Sequence, residues 1–456
     1  MTKTTLKLVL ALALCASPSL AQQQSTWVPP TDAALVARAK GIHDRVMTMD
    51  THIDINANQF RVGDTLNYAH DRKTGQVDIT RMERGGLDAV WLAVYVGQGP
   101  LDSAGYAAAK TEALAKFAAI HRLVDTLAPT RVGLALTAAD ARRIYASGRK
   151  VIFIGVENGY SIGTDVTNVK KFYDLGTRYL SLSHNGNSQL TDSNTGEQQG
   201  FLYGNGLSPL GRDVVKEANR LGIMLDFSHP SRGAMMEMTR LSKAPIMGSH
   251  SGVRAICNHS RNADDEQLKA LAKNGGVIQL VAFSGYVKCD PVRDSLRTAA
   301  TAALNKEFGI VIPSGRGGRG GRGGGGRGGR GGNAVLDSIL QTLPQARREE
   351  YVARQAAITA KYPPVGRANV SDFVNHIDYA KKLIGIDHIG ISSDMDGGGG
   401  VDGWNSAAET FNVTLELVKR GYTEQEISKI WSGNLLRVLE QCDKVARDIQ
   451  AGRITM

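Results

Sequence analysis

The feature that most limits what this chain can fold into is a recurrence of eight short apolar runs rich in β-branched and aromatic residues. They occupy 46–54, 88–96, 151–159, 177–185, 222–230, 245–252, 275–283 and 388–397. Amphipathic stretches with helical spacing, such as "SPLGRDVVKEANRL" and "DDEQLKALAKN", separate most of them. Strand and helix alternating eight times predicts an α/β fold of the (β/α)8, or TIM-barrel, type, although a doubly wound open sheet has the same alternation.

The position of the polar residues favours the barrel. The first run ends in His52 and Asp54, the third in Glu157, the fourth in His184, the fifth in His229, the sixth in His250 and the eighth in Asp394. Carboxyl ends of strands are where barrel active sites are built. Several ionisable groups gathered on one buried rim are too costly without compensation, and bound metal supplies it. His52-x-Asp54 places both side chains on one face of a strand. Imidazoles and carboxylates from different strands suit zinc or a similar divalent ion. A carboxylate reaching between two ions makes a binuclear site, typically with ~3.5–4 Å between metals. Singly, the same residues have plainer readings: His52 with Asp54 as a hydrogen-bonded core pair, Glu157 as a strand-end acid beside an arginine, His229 and His250 as turn caps. Their common place at strand ends argues for the metal. His43, His70, His121, His259, His376 and His388 lie in polar or helical settings and read as structural.

The chain opens "MTKTTLKLVLALALCASPSLAQQQ", with Lys3 and Lys7 ahead of an apolar run and a small-x-small site at Ser19–Ala21. This predicts a secretory signal peptide over 1–21 and a mature single-domain chain of about 435 residues, exported to the periplasm or secreted. The ending "ARDIQAGRITM" has no hydrophobic tail, so no membrane anchor is expected in the mature chain. Cys257, Cys289 and Cys442 would survive processing; an oxidising compartment permits one disulfide and leaves one thiol over, with Cys257–Cys289 preferred among the pairings. The net charge of +10 has a local source, because "GRGGRGGRGGGGRGGRGG" (315–332) holds five arginines and no acid. Such a tract can bind RNA, but in an exported protein a solvated insertion at about 295–350 is the preferred reading, and no nucleic-acid partner is expected.

In chain order, "DTHIDIN", "GVENG", "LSLSHNGNSQLTDS", "LSPLGRDVVKEANRLGIMLDFSH", "PIMGSHSGVRAICNHSRNADDEQL", "HIGISSDMDG" and "SGNLLRVLE" together resemble the membrane dipeptidase (renal dipeptidase) family of amidohydrolase-like metallopeptidases. The likeness spans roughly residues 40 to 445 apart from the insertion, and Leu207–Leu268 is its most specific piece. The resemblance implies two Zn2+ ions, one held by His52, Asp54 and Glu157 and the other by Glu157, His229 and His250, with Glu157 as the bridge. It implies substrate-binding residues at His184, Arg261 and Asp394, a homodimer, and a disulfide matching Cys257 with Cys289. Gly186 stands where some relatives have a cysteine, so a second disulfide is not expected.

The chemistry expected of such a site is hydrolysis of a dipeptide by a metal-bridging hydroxide. His184 would stabilise the oxyanion, a role worth about 3–4 kcal/mol for a well-placed donor, and Asp394 would carry the proton to the departing amine. Arg261 would bind the substrate carboxylate through two parallel hydrogen bonds, which favours dipeptides over proteins; the resemblance implies that C-terminal D-residues are accepted as well. Alone, Arg261 reads as a surface arginine and Asp396 competes with Asp394; the family pattern selects Asp394. Glycines 397–400 read as a flexible lip. Two rivals remain: a related amidohydrolase acting on a lactam, lactone or N-acyl amino acid, and a noncatalytic binding barrel, against which the retention of all five ligands argues.

Overall fold

The computed structural model describes residues 27–72, 74–311, 336 and 338–456. The expected signal peptide and the glycine-arginine tract lie outside the described residues. Among the described residues ten strands form: β1 (Met49–Asp54), β2 (Ala89–Tyr95), β3 (Val132–Leu134), β4 (Lys150–Glu157), β5 (Thr177–Ser181), β6 (Met224–Asp226), β7 (Met247–Val253), β8 (Asn262–Ala263), β9 (Val277–Val281) and β10 (Ile389–Ser392). Eight run parallel in the order β1-β2-β4-β5-β6-β7-β9-β10. The circle closes where Ile53 bridges Met395 and the Asp54 N–H donates to the Met395 carbonyl at 3.1 Å. The fold is the expected (β/α)8 barrel, and each of the eight apolar runs corresponds to one barrel strand. The short β3 and β8, which pair with β4 and β7, were not expected; at three and two residues they carry too little alternation to be read.

The helices begin and end where local chemistry dictates. Pro209–Leu221 has Ser208 accepting from the Gly211 N–H, proline in its first turn and left-handed Gly222 after its last residue. Asp265–Asn274 opens on a reciprocal capping box between Asp264 and Gln267. Both turn an apolar face inward, with Val214, Val215, Ala218, Leu268 and Leu271 buried.

The barrel's amino-terminal half is packed with aromatic rings, and this packing sets the height of the site above it. Trp91 stacks on Phe153 at 4.3 Å between centroids and on Tyr179 at 5.2 Å. Tyr179 fits because position 155 is glycine: a Cβ there would lie 1.9 Å from the tyrosine Cζ. The helix Asn434–Gln450 shares a buried cluster with the strand-start residues Met49, Ala89, Val151, Met224, Met247 and Val277. Cys442 is buried on that helix with its thiol pushed up by burial, while Cys257 and Cys289 form the preferred disulfide, Cα to Cα 5.3 Å.

Between β9 and β10 the chain leaves the barrel. Helices Pro291–Glu307 and Gln345–Lys361 bury Leu304, Phe308, Ile310 and Tyr351 in a cluster separate from the barrel core. The helical-looking segments "LRTAATAALNKEF" and "LDSILQTLPQARREE" on either side of the glycine tract thus lie in or beside packed helices, while the tract expected to be solvated lies outside the described residues. Among the described residues no helix is long and apolar enough to cross a membrane. Tyr351→Ala should remove about 3–5 kcal/mol of local packing. Limited proteolysis should then cut within 291–361 while the main calorimetric transition stays put; an equal fall in that transition would show that the hairpin and barrel unfold as one.

Candidate metal centre

Two irregularities in the barrel coincide with two of its histidines. The β1–β2 register shifts between Asp50 and Ile53, and the β7–β9 register between Gly248 and Ser251. Bulges re-aim side chains, and here they sit at His52 and His250. Glu157 is the last residue of β4, and His229 follows β6. All four side chains are buried and meet at one point.

Glu157 is the centre of that point. Its Oε1 lies 2.9 Å from His229 Nε2 and 3.4 Å from His250 Nε2, and its Oε2 lies 3.4 Å from His52 Nε2. The two ring nitrogens of His229 and His250 face each other at 3.0 Å. Three overlapping groups could hold a metal ion: His52, Asp54 and Glu157; Glu157, His229 and His250; and His52, His250 and Asp394. The donor set fits a metal, because His52 Nε2 and Asp54 Oδ1 are buried without a hydrogen-bond partner and both aim into the cluster.

The electrostatics describe strongly interacting acids and imidazoles buried together. Burial opposes the charge on His52, yet Glu157, Asp54 and Asp394 outweigh it and push the imidazole up to about 10. Burial and then Glu157 lift Asp54 to about 6. Burial lifts Asp394 well above its ordinary range, with Asp54 and Glu157 adding to it against the opposing pull of His52. Burial alone would raise Glu157 as well, but His52, His184 and the hydrogen bonds from His229 and His250 hold it well below. Burial lowers His184 to about 4 and holds His229 and His250 well below their ordinary range. Carboxyl groups and imidazoles packed this closely, with Asp54 and Asp394 both raised by burial, form a donor set that a divalent cation would stabilise.

The remaining expected residues ring the same place. A cavity of about 540 Å³ is lined by Asp54, Glu157, His184, His229, His250, Arg261 and Asp394. His184 packs against His229 at 4.2 Å between centroids. Arg261 is buried, and its Nη2 donates to the His250 carbonyl at 3.1 Å while Nε and Nη1 have no hydrogen-bond partner. Asp394 and Asp396 part company: both have positive φ, but Asp396 accepts from Arg72 at 3.0 Å and from the Gln76 N–H at 2.8 Å, tying a neighbouring loop to the rim. The glycines that follow form a hydrogen-bonded turn, with the Gly399 N–H donating to the Asp394 carbonyl at 2.7 Å, where a flexible lip was expected.

Sequence reasoning missed the residues that complete the walls and supports. Tyr95, Phe283 and Tyr286 line the cavity. The Tyr95 ring lies 4.6 Å from His184, and the buried Lys116 donates to the Tyr95 carbonyl at 2.6 Å. His259, read as structural, accepts from the Arg261 N–H at 3.1 Å and packs on Tyr286. Tyr95 ends a strand beside Glu157 in register, the one signal that could have found it.

A parallel barrel with a buried histidine and carboxylate cluster at the carboxyl ends of its strands is the architecture of a metal-dependent hydrolase. The family model for membrane dipeptidases, peptidase family M19, matches residues 36–453. Dipeptidase tcpJ of Claviceps purpurea is 27% identical over 392 residues, covering 85% of this chain and 74% of its own. The crystal structure of the probable dipeptidase PvdM from Pseudomonas aeruginosa superposes with a TM-score of 0.71 at 30% identity, over 90% of this chain and 99% of that one. A metallo peptidase from Rhodobacter sphaeroides, liganded with a phosphinate mimic of the dipeptide L-Ala-D-Ala, shares the fold with a TM-score of 0.61 at 21% identity, over 87% of this chain and 99% of that one. The chain belongs to the membrane dipeptidase family, M19, and is a metallo-dipeptidase.

One glycine tests how tightly the carboxylates are placed. A Cβ at Gly397 would lie 2.3 Å from Asp394 Oδ1 and 2.4 Å from Asp54 Oδ2. Gly397→Ala should therefore displace both carboxylates and lower dipeptidase kcat/KM on the order of 10²-fold. Assays on a variant whose melting temperature is unchanged would check this; full activity would show that the crowding is relieved elsewhere.

Proposed function

We propose that the chain is a zinc dipeptidase that cleaves dipeptides with a free C-terminal carboxylate, including those ending in a D-residue. The observation that carries this reading is the pairing of the Glu157 junction with a buried guanidinium on the wall of the same cavity. His52, Asp54 and Glu157 would hold one Zn2+, and Glu157, His229 and His250 the other, so that each carboxylate oxygen of Glu157 serves one position. Zinc bound there supplies Lewis acidity, lowering the pKa of water to about 7 in favourable sites and polarising a carbonyl.

The chain's own residues do the rest. Arg261 Nη1 and the second hydrogen of Nη2 form an end-on pair for the substrate carboxylate, since Nη2 already gives one hydrogen to the His250 carbonyl. That anchors the residue after the scissile bond by its free carboxylate, a group that an internal residue of a longer chain does not carry. His184 donates to the oxygen that becomes negative as the carbonyl turns tetrahedral. Asp394 takes the proton of the attacking water and returns it to the departing amine, a shuttle that needs a carboxylate beside the reacting atoms. We also propose that residues 1–21 are a signal peptide, that the remainder is one barrel domain carrying the insertion, that the mature enzyme is exported, and that it forms a homodimer. The Cys257–Cys289 disulfide supports export, because such bonds persist in oxidising compartments.

Chelator treatment of the purified chain should abolish release of amino acids from L,L- and L,D-dipeptides, L-Ala-D-Ala among them, and zinc should restore it. C-terminally amidated dipeptides should be poor substrates. No turnover of any dipeptide by the zinc-loaded protein would sink this specificity and direct the assay to lactams and N-acyl amino acids. Arg261→Ala should lower kcat/KM for free dipeptides by about 10²-fold, the cost of losing one charged partner, while barely changing the residual rate on amidated ones. An equal loss on both would remove Arg261 from carboxylate binding.

A further inference from the structure

The imidazoles of the cluster differ in what stands behind them. Ser249 Oγ lies 2.6 Å from Asp226 Oδ2 and 2.8 Å from His250 Nδ1. Asp226, fully buried on β6, accepts the backbone N–H groups of Ser228 at 3.0 Å and Ser249 at 2.8 Å, both on Oδ1. A carboxylate only accepts, so the Ser249 hydroxyl proton points at Asp226. The serine oxygen must then accept from His250 Nδ1–H. That leaves His250 Nε2, 3.4 Å from Glu157 Oε1, as the nitrogen without a proton. His229 has no such support, since its Nδ1 is buried without a partner. His52 Nδ1 meets the Tyr179 hydroxyl at 2.9 Å, and a phenol can donate or accept, so the tautomer is not imposed there.

We propose that Asp226, acting through Ser249, is the positioning residue that keeps His250 Nε2 bare and thereby governs whether the Glu157–His229–His250 position takes its metal ion. The inference rests on the two-ion reading above and adds a separation to it. The position at His52, Asp54 and Glu157 does not depend on Asp226. Outer hydrogen-bond partners that fix a ligating histidine's tautomer typically change metal affinity ~10–100-fold.

Asp226→Asn makes the sharpest test, because the two backbone N–H groups on Oδ1 fix which way the amide turns. Its oxygen must face them, so its NH2 faces Ser249 Oγ and donates. The serine proton then swings to His250 Nδ1, and the imidazole proton moves to Nε2, where it blocks ligation. Ser249→Ala removes the relay without imposing the wrong tautomer, so its effect should be smaller and in the same direction.

The experiment is titration of the metal-free full-length chain with Co2+ and with Zn2+, reading stoichiometry by elemental analysis and geometry by the Co2+ absorption spectrum. The unfolding midpoint of each metal-free variant is recorded beside it. Expected are two ions in the original chain; in Asp226→Asn the first binds as before and the second ~10–100-fold more weakly, with its Co2+ band diminished. Two ions bound by Asp226→Asn with unchanged affinities would overturn the inference, as would equal weakening of both in a variant of unchanged midpoint. If Asp226→Asn fails to fold, unchanged second-ion affinity in Ser249→Ala overturns it equally. An original chain that takes up fewer than two ions would overturn the two-ion reading itself, and the inference with it.

Discussion

Everything at the carboxyl rim of this barrel depends on one buried carboxylate. Glu157 sits among the imidazoles of His52, His184, His229 and His250, with the acids Asp54 and Asp394 close by. A carboxylate so placed keeps its charge because the surrounding imidazoles supply hydrogen bonds and favourable charge, and those same nitrogens are the donors a divalent cation would use. The cluster therefore holds buried donor groups in an arrangement that would favour a cation.

That arrangement is held by features of ordinary barrel construction. Gly155 lets Tyr179 sit under β4, and the tyrosine hydroxyl then meets His52 from below. The register shifts in β1 and β7 turn His52 and His250 toward each other, their rings stacked at 3.9 Å. Gly397 leaves the space that Asp54 and Asp394 both need. Each is a departure from regular strand geometry or an absent side chain, and each lies in space against a proposed ligand or its support.

The fold and the cluster were legible in the sequence for one reason: strand ends carrying histidines and acids are incompatible with an apolar core unless they meet. Alternation located the eight strands, and the polar residues located the rim. The walls were not legible, because Tyr95, Phe283 and Tyr286 look like any aromatic in a buried run until the rim is closed in space. Nor was the support under His250, since Asp226 and Ser249 lie on different strands and only the register of β6 against β7 brings them together. Asp394 and Asp396 could be separated by family pattern but not by physics until Arg72 and Gln76 were seen to hold the second.

The helical hairpin between β9 and β10 hangs from the rim by its two ends, and Arg297 Nη1 reaches the Tyr362 carbonyl at 3.4 Å to join them. Among the described residues the hairpin keeps a buried cluster of its own, separate from the barrel core. Chain-closure entropy grows with the logarithm of loop length, about 0.6 kcal/mol for each doubling. Segments could accumulate or be lost at this point over evolutionary time with little thermodynamic penalty to the catalytic scaffold. Relatives should accordingly differ most in length here, and a short linker or a foreign domain could be exchanged for the hairpin without redesigning the rim.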